Sequence, residues 1–360
     1  MIPSWKIKRE LLRFSQQLKA IPEALYEPFL RAAHDRKVRR GLKRTDGDVG
    51  NKDKIALLLI YQPSGVSQST LETLRYLVEQ GYSPLVVANH PLAEHDQIAL
   101  KPHIWRAVER PNFGYDFGGY RDGLFSLAQW EIAPEKLLIL NDSIWFPTVA
   151  AEPLLAFAKT VNSGLGGTIL RERGEIRFLE SYFFVVPKET LTCDAWHAFW
   201  ADLRLTSNKY KVIRRGERGL SEALSAAGQT LHPAFPYSVF LDRLKDQEDA
   251  FLLNTLEFIG HTRPEYAHHV SHLKAQVAND NWRARVLKHI EMTVPQEQPY
   301  STYPYAMVRL FNYPILKKSN DRAATLWRAA YLRAIEAEAL PQPSETVLAE
   351  LRERVQKDAV

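Results

Sequence analysis

RPNFGYDFGGYRD, residues Arg110–Asp122, and KLLILNDSIWFP, residues 136–147, together decide how this chain is read. The first puts Asn112, Asp116 and glycines 114, 118 and 119 into eight residues, between an expected strand at 104–109 and an expected helix at 118–130. Glycine allows positive φ and close approach of another group to the backbone. Asp116 can then meet a ribose or sugar hydroxyl, or it can simply cap the following helix. The second stretch is a short apolar strand, 136–140, that ends in Asn141-Asp142-Ser143. In open α/β sheets the carboxyl ends of central strands are where ligands bind. A carboxylate there can hold Mg²⁺ or Mn²⁺ bridging a diphosphate, because hard cations take oxygen ligands.

Outward from this pair the pattern is α/β. A polar linker, 45–54, precedes IALLLIY (55–61), which reads as a buried strand, and 67–80 reads as a helix closed by Gly81. SPLVVAN (83–89) is the next strand, which makes a βαβ crossover and hence a parallel sheet. Further along, strand-like stretches flank the charged hairpin RERGE, YFFVVP (182–187) is a strand, and 189–203 and 216–228 are helices. From 250 onward the pattern turns helical, with two final helices at 321–338 and 343–357.

The bulk numbers exclude several classes. One cysteine, Cys193, in 360 residues rules out an internal disulfide framework. The longest apolar run, 55–61, is far too short to span a bilayer, and the charged start MIPSWKIKRELL does not read as a secretory signal. There is no Walker Gly-Lys-Ser/Thr, no G-x-G-x-x-G after the first strand and no G-x-S-x-G elbow.

Charge is unevenly placed. Residues 1–45 hold twelve Lys/Arg against four Asp/Glu, so the +5 of the whole chain resides in this arm. Ile7, Leu11, Phe14 and Leu18 form one helical stripe, and Leu25, Phe29 and Ala33 a second before the cluster Arg36, Lys37, Arg39, Arg40. Such a helix can lie in an anionic membrane interface, or it can pack on the main domain with a solvated basic face. Nucleic acid is not expected, since no recognised motif accompanies the basic run. His268 and His272 stand one helical turn apart, near His261 and His269, but no further ligand is motif-placed and ordinary histidines are expected.

NFGYDFGGY, LILNDS, ESYFFVV and the helix start Glu217-Arg-Gly-Leu-Ser221, in this order, resemble the rhamnan synthesis protein F family over about residues 53–320. The resemblance implies a GT-A-like nucleotide-diphospho-sugar transferase fold: a mostly parallel, Rossmann-like sheet flanked by helices. Residues 1–45 are then a basic helical arm, 53–320 the transferase domain and 321–360 C-terminal helices. The implied activity is transfer of a sugar, typically L-rhamnose from dTDP-rhamnose, to a lipid-linked glycan in bacterial surface-polysaccharide synthesis. The donor could instead carry UDP or GDP, or the fold could serve as a non-catalytic glycan- or partner-binding module. Asn141-Asp142 stands where these folds usually carry Asp-x-Asp, but position 144 is Ile, which leaves Asp142 as the single metal-ligand candidate for Mg or Mn. Inversion needs a carboxylate base. Glu217 is the first candidate, placed at a helix start like that of inverting relatives, and Glu180 the competitor. Among Arg263, Arg309, Lys317 and Lys318, the family's proline–aliphatic–lysine pattern favours Lys317 as the diphosphate's partner. The expected donor-binding set is Tyr61, Asn112, Gly114, Asp116, Asn141, Asp142, Ser143 and Lys317. The expected partners are a nucleotide-sugar donor, a polyprenyl-linked glycan acceptor and, through residues 1–45, the anionic inner leaflet, which makes the protein cytoplasmic and peripheral.

Overall fold

A computed structural model describes residues 26–174 and 176–358. The first amphipathic stripe, Ile7 to Leu18, lies outside the described residues. The chain enters through helix α1 (residues 26–39) and strand β1 (Lys43–Asp46).

Strand β2 (Lys54–Ile60) is apolar at every position after Lys54, as a strand covered on both faces must be. Helix α2 (Gln68–Glu79), whose first turn is capped by the Ser67 side chain accepting from Thr70 N, returns the chain to β3 (Ser83–Ala88). Helix α3 (Glu94–Leu100) leads to β4 (Arg106–Glu109), and α4 (Tyr115–Gln129) leads to β5 (Lys136–Asn141). These four strands lie parallel in the order β4-β3-β2-β5. Three shorter strands, β7 (Leu165–Gly167), β10 (Phe183–Pro187) and β11 (Leu231–Pro233), extend the β5 edge. Strand β10 runs antiparallel to β5, with Phe183 opposite Leu140, and β1 runs antiparallel to β4 at the other edge. Two small sheets complete the fold, β6 (Ile144–Trp145) with β12 (Leu316–Lys317) and the hairpin of β8 (Leu170–Arg173) and β9 (Ile176–Leu179).

The side-chain period of two divides the core. Ala56, Leu58 and Ile60 pack with Leu74 and Leu77 of α2 and with Trp327 and Leu351 of the last two helices. Ile55, Leu57 and Leu59 pack with Phe117, Tyr120 and Leu127 of α4 on the opposite face. The architecture is the expected α/β, a mostly parallel sheet flanked by helices.

Some local expectations change. Residues 45–54, read as a linker, contain the end of edge strand β1. The expected helix at 189–203 is two helices, Lys188–Leu191 and Asp194–Asp202, because Cys193 is extended (φ −77°, ψ 148°). Helix α4 starts at Tyr115, three residues early, because Gly114 takes up φ +83°.

Helix α1 packs against the body by its polar side. Asp122 accepts from His34 Nε2 at 2.7 Å, Arg121 pairs with Asp35 at 2.7 Å, and Glu27 receives Lys211 at 2.8 Å and Arg215 at 2.9 Å. Val38 near its end is buried, but Phe29 is 74% exposed and Tyr26 and Leu30 are exposed too.

Candidate active site

Strand order reverses at β2, whose neighbours are β3 on one side and β5 on the other. This is the switch point at which such sheets open a crevice. Asp142 sits there: its Oδ2 accepts the Tyr61 N–H at 2.8 Å and its own N–H donates to Leu59 O at 2.9 Å. Tyr61, 55% exposed, stands on the rim beside it. Asn141, buried at the end of β5, donates through Nδ2 to Asp116 Oδ2 at 3.1 Å and accepts from Ser143 N at 3.2 Å. Two sequence segments 25 residues apart thus become one cluster of Asp116, Asn141, Asp142 and Ser143.

The opening motif divides into a scaffold and a site. Arg110 Nε donates to Asp122 Oδ2 at 2.5 Å, and Arg110 Nη2 to Phe113 O at 2.5 Å, which staples the two ends of the stretch together. The two glycines serve close packing of α4, Gly118 against the preceding loop and Gly119 against the sheet. A Cβ on Gly118 would stand 2.1 Å from Phe113 O, and one on Gly119 2.2 Å from Leu59 Cδ1. Only Gly114 uses positive φ, and Tyr115 follows it at φ +50°. Asn112 is exposed on the loop. What faces the cleft is Asp116, at the start of α4, with Tyr120 one turn on.

Tyr120 links this cluster to the second group of acids. Its hydroxyl donates to Ser181 O at 2.9 Å, while Ser181 N donates to Glu217 Oε1 at 2.8 Å. Glu217 lies in a π-helical turn, Ile213–Arg218, that continues into the helix Gly219–Ala226. Such turns recur at functional sites. Gly216 permits this one, since a Cβ there would meet the Phe117 ring at 2.4 Å.

The two candidate bases sit in opposite fields. Glu180 is 3% exposed, and burial alone would raise its pKa. Arg171 and Lys317 outweigh burial and hold it at about 2, helped by the Tyr300 hydroxyl. Arg171 Nε is 2.5 Å away, Lys317 Nζ 3.2 Å, and Tyr300 donates at 2.8 and 2.9 Å. Glu217 is raised, first by burial and then by the negative charge of Glu180. Asp116 is pushed up to about 6 by burial and by the charges of Asp142 and Glu217, and burial raises Asp142 too. Asp116 thus feels the charges of both Asp142 and Glu217, and Glu217 in turn feels Glu180, which is locked in its ionised form.

The two adjacent lysines also part company. Lys317, in β12, is held by Glu180 and lies over the Tyr182 ring at 4.6 Å. Lys318 turns the other way, 3.0 Å from Ser69 Oγ and over the Trp145 ring at 5.3 Å. Lys318 and Asp142 line the same cavity of about 490 Å³. Ile144, where a second acid was sought, is buried in β6.

Among the described residues, no group of three or more His, Cys, Asp or Glu is arranged to hold a metal. Mg²⁺ needs only one or two protein carboxylates beside substrate phosphates and water, and Asp142 on the cavity wall fits that role. His261 pairs with Glu297 at 2.6 Å and meets His289 at 3.2 Å, and His289 meets His269 at 3.0 Å. Sequence reasoning did not anticipate this chain of buried contacts, which lies in the helical region and not at the switch point.

Residues 85–290 match the family model of rhamnan synthesis protein F. The chain belongs to this family. Membership indicates a glycosyltransferase. An uncharacterized protein of Sinorhizobium fredii, y4gN, is 27% identical over 356 residues, covering 94% of this chain and 90% of that one. Two solved glycosyltransferases are similar at lower identity. A mannosyltransferase of Pyrobaculum calidifontis, in complex with GDP-Man and Mn²⁺, is 13% identical with a TM-score of 0.30, covering 94% of this chain and 96% of its own. GlyE of Streptococcus pneumoniae is 9% identical with a TM-score of 0.32, covering 81% of this chain and 66% of its own. No helix among the described residues is long and apolar enough to cross a membrane.

Proposed function

We propose that this protein transfers a sugar, in the first instance L-rhamnose from dTDP-rhamnose, to a polyprenyl-linked glycan, with inversion at the sugar's anomeric carbon. The observation that carries the mechanism is the opposite tuning of the two acids that flank the Ser181 peptide. Glu180, ion-paired and held near pKa 2, is a weak base that orients Lys317 and Tyr300. Glu217, raised by burial, is the stronger base of the two. The acceptor hydroxyl oxygen bonds to C1 of the donor sugar and its proton passes to Glu217. The C1–O bond to the diphosphate breaks on the opposite face, and the nucleoside diphosphate leaves with the electron pair. Asp116, Asn141, Asp142 and Tyr61 hold the donor side. A divalent cation at Asp142, when bound, would offset charge on the diphosphate.

The membrane-facing role of the arm is supported by the way α1 docks. Its polar side is occupied by the body, which leaves Tyr26, Phe29 and Leu30 outward beside the exposed Arg36, Lys37, Arg39 and Arg40. That combination suits the interface of an anionic leaflet, where a polyprenyl-linked acceptor would be met and where a cytoplasmic enzyme would be held peripherally.

The test is calorimetric titration of dTDP, UDP and GDP, each with and without Mn²⁺. Tighter binding of dTDP supports the rhamnosyl reading, and preference for UDP or GDP redirects it to another sugar. No binding of any nucleotide would leave a non-catalytic module.

A further inference from the structure

The last helix, Glu345–Asp358, was read from sequence as an addition outside the transferase domain. In the structure it forms one wall of the cavity that Asp142 opens into. Glu350 fixes it there by accepting from Ser69 N at 3.1 Å, Ser69 Oγ at 2.7 Å and Trp145 Nε1 at 2.7 Å. Arg328 ties its end at Asp358 with a 2.6 Å contact, and Val347, Leu348 and Leu351 are buried beneath it. The helix is thus held on the α2 side of the switch point by both polar and apolar contacts.

To the cavity it brings Arg354 and Lys357 together with Glu350 and Glu353, but Glu350 is engaged by Ser69 and Trp145 and the cations are only partly answered. Arg354 donates through Nη2 to Lys318 O at 2.9 Å, but its Nε is buried with no hydrogen-bond partner among the described residues, and Asp358 Oδ1 stands 3.9 Å away. Lys318 has its carboxylate contact, Glu350, only at 4.0 Å, and burial pulls its pKa down. Lys357, one turn beyond Arg354, lines the same space and pairs with Glu353 at its exposed end. A buried donor without a partner and a desolvated cation without a close anion are both relieved by a bound anion. Lys317 has no such need, because Glu180 already answers its charge.

We propose that Lys318, Arg354 and Lys357 form the subsite for the diphosphate of the nucleotide-sugar, so that the C-terminal helix is part of the donor site. This rests on the donor reading given above and assigns the diphosphate to Lys318 in place of Lys317. With Glu350 on this wall taken up by Ser69 and Trp145, the Lys318 ammonium and Arg354 guanidinium match a doubly charged, oxygen-rich group better than a neutral sugar.

The test compares inorganic pyrophosphate and dTDP binding, by calorimetry at low salt, in the intact protein and in Lys318→Ala, Arg354→Ala and Lys357→Ala. The exposed Lys245→Ala serves as a control for total charge. Each cavity variant should weaken both ligands roughly ten-fold, the loss of one charge-assisted contact, while Lys245→Ala changes neither. Arg354 also holds the backbone at 318, so its variant is read only with an unchanged melting temperature; Lys357, on the exposed side, gives the independent reading. If the intact protein binds dTDP and all three variants bind it equally well, the subsite is wrong and the donor reading stands. If the intact protein binds neither ligand, the donor reading itself fails.

Discussion

Replacing Glu217 and Glu180 by Gln, one at a time, should produce opposite phenotypes. In Glu217→Gln the new amide oxygen can still accept the Ser181 N–H, so the π-helical turn keeps its anchor. What is lost is the proton acceptor, and general-base catalysis is worth about 10²- to 10⁴-fold in rate. Donor binding, on the Asp142 side, should change little. For Glu180 the structure points the other way. A folded pKa of about 2 against an ordinary 4.5 corresponds to about 3 kcal/mol of stabilisation of the ionised form. Breaking a buried ion pair from one side costs about 3–5 kcal/mol. Arg171 and Lys317 each keep about a quarter of their side chain exposed, which favours the lower figure. Glu180→Gln should therefore lose about 3 kcal/mol in urea unfolding. The depressed pKa also fixes the sign with pH: this contribution is full above about 4.5 and fades as pH falls towards 2. The assay pairs single-turnover transfer with urea denaturation at pH 7. If Glu180→Gln unfolds like the parent and abolishes transfer, while Glu217→Gln transfers normally, the assignment of base and anchor is reversed and the reasoning from burial and charge is refuted.

Other outcomes follow from the same geometry. Asp116→Asn removes a half-buried charge whose pKa is pushed up from 3.8 to about 6, so it should stabilise the fold above pH 6 by about 1–2 kcal/mol, after discounting for partial exposure, while weakening donor binding. Equal stability at pH 5 and pH 8, relative to the parent, would contradict the raised pKa. Gly216→Ala drives a Cβ into the Phe117 ring, which should cost about 1–3 kcal/mol and reduce turnover by displacing Glu217; unchanged turnover and melting would show that the turn yields freely. Phe29→Asp and Leu30→Asp should leave the melting temperature unchanged and abolish co-sedimentation with anionic liposomes, because both side chains face away from the body. Retained sedimentation would remove α1 from the membrane contact.

Much of the candidate site around Asp142 was legible because it rests on local pattern. The apolar run of β2, the helix closed by Gly81 and the strand that ends at Asn141 are periodicities and punctuation, and they place Asp142 at the carboxyl end of a central strand; the switch point beside it needed the strand order. Asp116 and Asn141 were each singled out, but their hydrogen bond joins α4 to β5 and no spacing encodes it. Other features were hidden because they depend on partners distant in sequence. The glycines at 118 and 119 pointed to a ligand and serve instead the approach of α4 to Phe113 and Leu59. Glu217 ranked ahead of Glu180 only through the resemblance of its helix start; the ion pairing of Glu180 depends on Arg171 and Lys317, from different elements. Lys317 and Lys318 are neighbours that turn to opposite sides of β12, so a choice between them needed Glu180 and the cavity in view. The last helix was read only as a helix, and nothing local marks Arg354 as lining the cavity of Asp142. For α1, the pattern left open whether the helix meets a membrane or packs on the domain; Glu27, His34 and Asp35 find charged partners on the body, and Phe29 and Ala33 stay exposed.

The most direct measurement of the central claim is mass spectrometry of a polyprenyl-linked glycan acceptor incubated with dTDP-rhamnose, with released dTDP followed in parallel, for the intact protein and Glu217→Gln. The expected result is an acceptor heavier by one deoxyhexose, one dTDP released per transfer, and near-complete loss of both in the variant. Transfer at the parent rate by Glu217→Gln, or no sugar transfer from dTDP-, UDP- or GDP-linked donors by the intact protein, would contradict it.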